Sequence, residues 1–276
     1  MFRDVRGINY HYYIHSENPY LPYLVMLHGF MGDSGIFDHL IPVLQRFSNP
    51  VTIDLVGHGQ TYAPHDISRY EFTSQIVDLN DLFQQLDLHN IILLGYSMGG
   101  RLALRIALTG SPFLSGLILE STTYGIEDPM LKKERVESDR KNANRILQDF
   151  HSFVDNWNKN PLFTALHPLS SETQQNLDFV QRRQRPHGLA NSLIGFGSAA
   201  MPSVRDQLKN LTLPTLLLTG KHDVKYSAIG KEMSEQIPNC NHYILPGSGH
   251  RVHVDDPDQY TSLLRKFIES QQSVRL

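Results

Sequence analysis

The sequence predicts an α/β fold: a mostly parallel, doubly wound sheet with an inserted helical cap. Short apolar runs recur along the chain, and most of them lead through a glycine-containing turn into a helix-like stretch. Such continuous apolar runs are typical of strands buried on both faces, and their alternation with helices indicates βαβ units. The rhythm stops between about residues 121 and 204, where the chain is polar and lacks strand-like runs. That interruption indicates the cap.

The strands of the predicted sheet are six apolar runs and one alternating segment. The parallel strands are predicted at residues 23–27, 51–55, 91–94, 117–119, 215–219 and 241–245. Residues 7–14 alternate enough between apolar and polar side chains to favour an antiparallel strand at the edge of the sheet.

The interruption divides the chain into a core, residues 1–121 and 205–276, and a cap, residues 122–204. A structureless loop of that length would be unusual inside a compact domain. Residues 131–150 and 171–183 have partial apolar faces at helical spacing, and the second segment opens on a serine, a common helix start. The sequence therefore predicts a helical cap over the ends of the strands.

The composition is that of an ordinary soluble globular protein. The 276 residues are 40% hydrophobic and 19% charged, with a formal net charge of -3 and a pI of about 6.5. This balance favours neither nucleic acid nor an anionic membrane as a partner. The single cysteine, Cys240, excludes an intramolecular disulfide and a cysteine-based metal site. No signal peptide and no apolar run of ~18 residues is recognisable, so we expect a cytoplasmic protein without a membrane anchor.

A Gly-x-Ser-x-Gly motif at Gly95 to Gly99 marks the predicted reactive centre. The motif alone is weak, but here it follows an apolar strand and precedes a good helix, residues 101–108. This strand, turn and helix order is typical of the nucleophile turn of the α/β-hydrolase fold. The glycines permit a sharp turn that leaves the hydroxyl of Ser97 exposed above the sheet.

A serine hydroxyl reacts only when a neighbouring group takes its proton, so later strands should supply a histidine and an acid. Asp223 follows the strand at residues 215–219, and His250 follows the strand at residues 241–245. Both lie just beyond the carboxyl ends of their strands, where open α/β sheets bind ligands. We therefore predict a catalytic triad of Ser97, His250 and Asp223. The competitors are His222, His253, Asp255 and Asp256, and the two aspartates are more typical of a helix start before Pro257.

Two backbone N–H groups are candidates for an oxyanion hole. The loop after the first parallel strand, His28-Gly29-Phe30-Met31-Gly32, is placed to supply the N–H of Phe30. The second donor would be the N–H of Met98, at the start of the helix after Ser97. His28 itself is expected to order this loop.

Arg101 lies four residues after Ser97 and can share the face of the helix that meets the pocket. A guanidinium there would favour an anionic substrate, although a surface arginine on a solvated face is an equally open interpretation.

Beyond the triad, the sequence resembles the 2-succinyl-6-hydroxy-2,4-cyclohexadiene-1-carboxylate (SHCHC) synthases of menaquinone biosynthesis. The resemblance covers nearly the whole chain and is most selective at Gly99-Gly100-Arg101 and in the cap. The cap motifs are Glu134-Arg135, Ser138-Asp139-Arg140, and Trp157 followed by Pro161-Leu162-Phe163. It implies that substrate is bound by Arg101, Arg135, Arg183, Tyr96 and Trp157. This sequence departs from the family at Val56, where a proline is usual, and at Asn158, where some relatives have tyrosine.

The resemblance implies a lyase that eliminates pyruvate from 2-succinyl-5-enolpyruvyl-6-hydroxy-3-cyclohexene-1-carboxylate. This small-molecule substrate carries three carboxylates, which suits a pocket lined with arginine. Ser97, primed by His250, would act as a base, and neither a cofactor nor a metal is expected. A carboxylesterase or C–C bond hydrolase with the same triad is the alternative, and a non-catalytic small-ligand receptor is a third. The oligomeric state is left open.

Overall fold

The architecture is an eight-stranded sheet with helices on both faces, seen in a computed structural model that describes residues 1–163 and 169–273. The strands are β1 (Phe2–Val5), β2 (Ile8–Ile14), β3 (Tyr23–Leu27), β4 (Asn49–Ile53), β5 (Ile91–Tyr96), β6 (Leu114–Glu120), β7 (Thr215–Gly220) and β8 (Cys240–Leu245). Their order across the sheet is β1-β2-β4-β3-β5-β6-β7-β8. Strands β3 to β8 are parallel to one another, which confirms the predicted doubly wound α/β sheet.

The antiparallel end of the sheet contains one strand more than the sequence predicted. Strand β2 pairs antiparallel with β4 on one side and with β1 on the other, so the edge strand is β1. The prediction that residues 7–14 form the edge was therefore wrong. Arg6 and Gly7 join the two strands with φ values of 52° and 80°. Both residues of a two-residue type I′ hairpin turn need positive φ, and such a turn returns the chain at once into a second strand.

The helices are α1 (Ile41–Leu44), α2 (Phe72–Gln85), α3 (Met98–Leu108), α4 (Pro129–Gln148), α5 (Phe150–Trp157), α6 (Ser171–Arg182), α7 (Pro186–Phe196), α8 (Val224–Gln236), α9 (Val252–Asp255) and α10 (Pro257–Ser273). Alternate strand residues face two separate apolar layers. Val25 and Leu27 pack toward α2, α3 and α8, while Leu24 and Met26 pack toward α1 and α10. Each central strand is thus covered on both faces, which explains its continuous apolar sequence. No helix within the described residues is long and apolar enough to cross a membrane.

Helices α4 to α7 lie between β6 and β7, in the region predicted as the cap, of which residues 164–168 are outside the described residues. The predicted helix at residues 131–150 is α4, which ends at Gln148 because the side chain of Asp149 caps the next helix, α5, by accepting from the N–H of Ser152 at 3.0 Å. Helix α4 buries only Asp139, Ala143 and Ile146, a narrow stripe at helical spacing. Helix α7, which packs on α4, was not among the predicted helices.

The cap helices contact the core through a close approach of two glycines. The carbonyl oxygen of Gly57, in the loop after β4, lies where a side chain on Gly188 of α7 would begin. A Cβ built on Gly188 would be 2.3 Å from that oxygen, closer than real Cβ contacts. The contact holds α7 directly against the backbone of the core.

We predict that Gly188→Ala lowers the free energy of unfolding by about 1–3 kcal/mol, because the added methyl overpacks this contact. Urea unfolding followed by circular dichroism measures the effect. Gly116→Ala is the matched control, since a Cβ on Gly116 would meet its nearest neighbour at an ordinary 3.4 Å. A Gly188→Ala protein as stable as the wild type would contradict the proposed contact.

Candidate active site

The turn between β5 and α3 holds Ser97 in a strained backbone conformation. Its φ is 51° and its ψ is -104°, a region that residues with side chains rarely adopt. Two hydrogen bonds tie the turn to neighbouring strands. The N–H of Ser97 donates to the carbonyl of Glu120 at 2.8 Å, and the N–H of Gly99 donates to the carbonyl of His28 at 3.1 Å. Hydrogen bonds to the ends of β6 and β3 therefore maintain the strained conformation of Ser97.

The glycines of the motif are required by backbone packing around the turn. A Cβ on Gly99 would lie 2.3 Å from the carbonyl oxygen of Leu27, and one on Gly95 would lie 2.5 Å from the carbonyl oxygen of Gly99. No side chain fits at either position without moving a strand or the helix. The spacing of the motif is thus a consequence of how closely α3 approaches the sheet.

The structure brings Ser97, His250 and Asp223 into one hydrogen-bonded chain. The Nε2 atom of His250 lies 3.0 Å from the Oγ atom of Ser97, and its Nδ1 atom lies 2.6 Å from the Oδ2 atom of Asp223. A carboxylate can only accept, so Nδ1 carries a proton and Nε2 is free to accept from the serine hydroxyl. His250 and Asp223 are both buried. This is the arrangement in which a histidine can take the proton of Ser97.

The competing side chains named from the sequence have other contacts. His222 is exposed and its ring contacts the carbonyl of Pro246 at 3.1 Å. The ring of His253 pairs with Glu120 at 2.7 Å, behind the nucleophile turn. The carboxylate of Asp255 accepts from the N–H of Gly249 at 2.8 Å, and that of Asp256 accepts from the N–H of Gln259 in the first turn of α10. Asp256 therefore caps the helix as expected, whereas Asp255 orders the loop that carries His250.

Phe30 and Met98, the residues of the two predicted oxyanion donors, line the same cavity as Ser97 and His250. Met98 is the first residue of α3, so its N–H has no acceptor within the helix. Among the described residues, the N–H of Phe30 also forms no hydrogen bond. His28 orders the loop between them: its Nε2 accepts from the N–H of Leu55 at 3.0 Å, so its Nδ1 donates to the carbonyl of Gly29 at 2.7 Å.

A cavity of about 240 Å³ lies between the triad and the cap helices. Its charged and polar lining residues are Ser97, Arg101, Arg135, Ser138, Asp139, Asn142, Asn160, Ser192, Ser198, Tyr226 and His250, and its larger apolar ones include Phe30, Tyr96, Trp157 and Phe163. Eight of the ten residues predicted for the site line it or belong to its wall, while Asp223 lies behind His250 and Arg183 is elsewhere. Within residues 1–163 and 169–273, no group of three or more His, Cys, Asp and Glu side chains could hold a metal ion.

The cavity carries an excess of positive charge. Arg101 is buried, and its Nη1 atom donates to the carbonyl of Phe196 at 2.9 Å without a carboxylate partner. Arg135 donates from Nε to Asp139 at 2.8 Å. Burial, and then repulsion from Arg135, lower the pKa of Arg101 to about 10, so the guanidinium stays charged at neutral pH. Two guanidinium groups thus face one carboxylate.

The aromatic residues of the predicted site form the walls of the cavity. The ring of Tyr96 packs 5.5 Å from that of His250 and beside Gly29, where a Cβ would lie 2.6 Å from the ring. Trp157 stacks on Phe153 at 5.7 Å and contacts Phe30 edge-on at 5.4 Å. Trp157 therefore links the cap to the loop that carries the predicted oxyanion donor.

Arg183 is the one predicted substrate-binding residue that the structure does not bring to the cavity. Its Nε and Nη2 atoms donate to the two carboxylate oxygens of Asp33 at 2.8 and 2.5 Å. Gln184 also donates to Asp33 at 2.9 Å. Asp33 is fully buried, and this forked ion pair raises the pKa of Arg183. Arg183 therefore ties the end of α6 to the loop after β3.

Sequence reasoning missed several cavity residues, of which Tyr226 is closest to the triad. Its ring lies 4.7 Å from the ring of His250. The signal was present, because Tyr226 follows Asp223 by three residues and a helix beginning at an aspartate brings these positions together. The sequence gives no such signal for Ser192 and Ser198, because their position in the cavity depends on how α7 packs over the sheet.

Fold and site define the chain as an α/β-hydrolase: the family model described as "alpha/beta hydrolase fold" matches residues 22–257. Within this class, a Bacillus subtilis (strain 168) protein named "Putative 2-succinyl-6-hydroxy-2,4-cyclohexadiene-1-carboxylate synthase" is 38% identical over 90% of this chain and 90% of its own. The structure of MenH from S. aureus superposes with a TM-score of 0.89, at 33% identity over 95% of this chain and 98% of that one. The chain belongs to the SHCHC synthase family. An esterase from Exiguobacterium antarcticum also matches, with a TM-score of 0.81 and 25% identity over 97% of this chain and 98% of that one.

We predict that Arg183→Ala lowers the free energy of unfolding by about 1–3 kcal/mol and leaves the KM for substrate unchanged. The reason is that the buried carboxylate of Asp33 loses two charged hydrogen bonds but keeps those from Gln184 and the N–H of Gly35. Urea unfolding and steady-state kinetics measure the two quantities.

The neighbouring Arg182→Ala is the control for this prediction. Arg182 pairs with Asp155 and Asp178 on the surface, where ion pairs contribute at most about 1 kcal/mol. A raised KM with unchanged stability in Arg183→Ala would contradict this prediction and indicate that Arg183 binds the substrate.

Proposed function

We propose that this protein is an SHCHC synthase, a lyase that eliminates pyruvate from 2-succinyl-5-enolpyruvyl-6-hydroxy-3-cyclohexene-1-carboxylate in menaquinone biosynthesis. The observation that carries the proposal is a complete serine, histidine and aspartate relay opening into a cavity with two guanidinium groups for one carboxylate. A substrate with three carboxylates complements that charge, whereas a neutral ester would leave the guanidinium of Arg101 without an anionic partner. Membership of the SHCHC synthase family supports the same reaction.

The first step of the proposed mechanism is removal of a ring proton by Ser97. His250 takes the hydroxyl proton through Nε2, and the serine oxygen takes the ring proton next to the succinyl carbonyl. Asp223 holds the histidine tautomer and stabilises the imidazolium that forms. Ser97 thus acts as a general base, and no covalent bond to the enzyme is required.

The electron pair of the broken C–H bond moves onto the succinyl carbonyl oxygen. We assign the stabilisation of that oxygen to the N–H groups of Phe30 and Met98, two residues that line the cavity and whose N–H groups have no acceptor among the described residues. Donors held in place before the reaction lower the barrier because they need no reorganisation as charge develops. As the enolate reverts to the ketone, the existing ring double bond shifts by one position, a second ring double bond forms, and the C–O bond to the enolpyruvyl group breaks in the same step. The departing group leaves as pyruvate once it has taken up the transferred proton.

The carboxylates of the substrate would be bound by Arg101 and Arg135. Arg101 projects from the first turn of α3, and Arg135 projects from cap helix α4, so the substrate would lie between core and cap. Tyr96 and Trp157 would pack against the ring. Arg183 is not included, because its guanidinium is occupied by Asp33.

The second candidate is a carboxylesterase or C–C bond hydrolase, favoured by the intact triad and the likeness to an esterase structure. Both reactions would use Ser97, but in hydrolysis the serine attacks a carbonyl carbon and forms an acyl-enzyme. Comparing pyruvate release from the enolpyruvyl substrate with hydrolysis of a simple aryl ester separates the two. The synthase predicts fast pyruvate release and slow ester turnover, and the reverse would establish the hydrolase.

We predict that Ser97→Ala lowers the kcat for pyruvate release by about a thousandfold or more, because the oxygen that takes the ring proton is removed. Ser270→Ala, on the exposed face of α10, is the matched control and should keep wild-type turnover. Near-normal activity of Ser97→Ala would remove Ser97 from the mechanism.

We predict that Arg101→Ala and Arg135→Ala each raise the KM for substrate, by about tenfold to a hundredfold, because a charged hydrogen bond to a carboxylate is lost. Arg265→Ala, which breaks only an exposed pair with Glu269, is the control. Circular dichroism checks that the variants are folded. An unchanged KM in both cavity variants would show that these arginines do not bind the substrate.

A further inference from the structure

Tyr226 is held over the catalytic histidine by the same aspartate that orients that histidine. Asp223 caps α8, and its Oδ1 atom accepts from the N–H of Tyr226 at 3.3 Å. Its Oδ2 atom accepts from Nδ1 of His250 at 2.6 Å. The two rings lie 4.7 Å apart and are inclined at 56°. One carboxylate thus fixes both the imidazole and the tyrosine relative to each other.

The hydroxyl of Tyr226 has no hydrogen-bond partner among the described residues, although the side chain lines the cavity. The fully buried tyrosines of the core behave differently: Tyr10 donates to Asp78, Tyr70 to the carbonyl of Pro64 and Tyr260 to Glu120. Buried tyrosine hydroxyls usually find such a partner, because leaving one unpaired costs free energy. An unpaired hydroxyl in a reactive cavity is therefore available to a ligand.

Burial and the surrounding charges determine whether the Tyr226 hydroxyl can donate a hydrogen bond to a ligand. The positive charges of Arg135 and Arg101 lower the pKa of Tyr226, and the negative charges of Asp223 and Asp139 raise it. Burial is the largest effect and raises the pKa of Tyr226, so the hydroxyl keeps its proton at neutral pH and can donate it in a hydrogen bond. Tyr226 lines the same cavity as His250, Arg101 and Arg135, so a ligand bound there would meet the hydroxyl together with the two guanidiniums.

We propose that Tyr226 is a further catalytic residue, whose hydroxyl donates a hydrogen bond to the enolpyruvyl oxygen as its bond to the ring breaks. This inference rests on the proposed function. In the enolpyruvyl group, the ether oxygen and the carboxylate are attached to the same carbon atom. We place the enolpyruvyl carboxylate on the guanidiniums of Arg101 and Arg135, so the oxygen that leaves would lie in the cavity that Tyr226 also lines.

The electrons and protons balance without any added reactant. The C–O bond breaks with its electron pair on the departing oxygen, while the electron pair from the ring C–H bond completes the diene. The ring proton remains on the Ser97 and His250 pair until the departing group takes it up, and Tyr226 keeps its own proton throughout. Its contribution is electrostatic, a donor aimed at an oxygen whose negative charge grows in the transition state.

The test is Tyr226→Phe, which removes the hydroxyl and keeps the ring on His250. Because the hydroxyl has no partner among the residues that the structure describes, thermal unfolding should match the wild type. We expect the kcat for pyruvate release to fall about tenfold to a hundredfold, the effect of losing one hydrogen bond to a charged oxygen, while the KM changes little. Tyr20→Phe is the matched control, since Tyr20 is 90% exposed and should retain wild-type kinetics.

The outcomes separate this assignment from the proposed function. If the wild type releases pyruvate and Tyr226→Phe has an unchanged kcat, the assignment is overturned and the synthase activity stands. A raised KM with unchanged kcat would also overturn it, because the hydroxyl would then bind the substrate equally in the ground and transition states. A wild-type protein that releases no pyruvate would overturn the proposed function and the assignment with it.

Discussion

The rest of the site depends on the close approach between the start of α3 and the end of β3. The N–H of Gly99 bonds the carbonyl of His28, and no Cβ fits at Gly99 because the carbonyl of Leu27 occupies that space. This contact holds Ser97 in its strained conformation and fixes the start of α3, where Met98 lines the cavity. It also places the loop of Phe30 beside the serine. One backbone contact thus positions both the proposed base and both proposed oxyanion donors.

The second organising feature is the unbalanced charge of the cavity. Burying Arg101 without a carboxylate costs free energy in the empty protein, since a charge is removed from water without full compensation. The carboxylate of Asp139 offsets only part of the positive charge of the cavity, because it pairs with Arg135. A polyanionic substrate would pair with the guanidinium of Arg101 and remove this free-energy cost. The cavity therefore favours an anionic ligand over a neutral one. The same triad in a neutral cavity would favour ester chemistry instead.

The cap region supplies most of the residues that line the cavity, and its helices are held to the core by contacts outside the cavity. The ion pair of Arg183 with Asp33 joins α6 to the loop after β3, and Gln184 donates to Asp33 and accepts from the N–H of Gly59. The contact of Gly188 with Gly57 holds α7. These contacts hold α6 and α7 against the core. An arginine can therefore stabilise the cap without touching the substrate.

Local sequence was sufficient for the parallel strands, the nucleophile turn and the triad, because each catalytic residue follows directly from a recognisable buried strand. It was insufficient for β1, in which only Val5 is buried and no alternation shows. It also could not separate Arg101, which faces the cavity, from Arg183, which pairs with Asp33. Both are arginines on helices, and only the packing of those helices decides what each guanidinium meets. The sequence by itself determined the turn that carries Ser97, the predicted reactive centre; the tertiary structure decided which charges and hydroxyls surround it, because they come from distant helices.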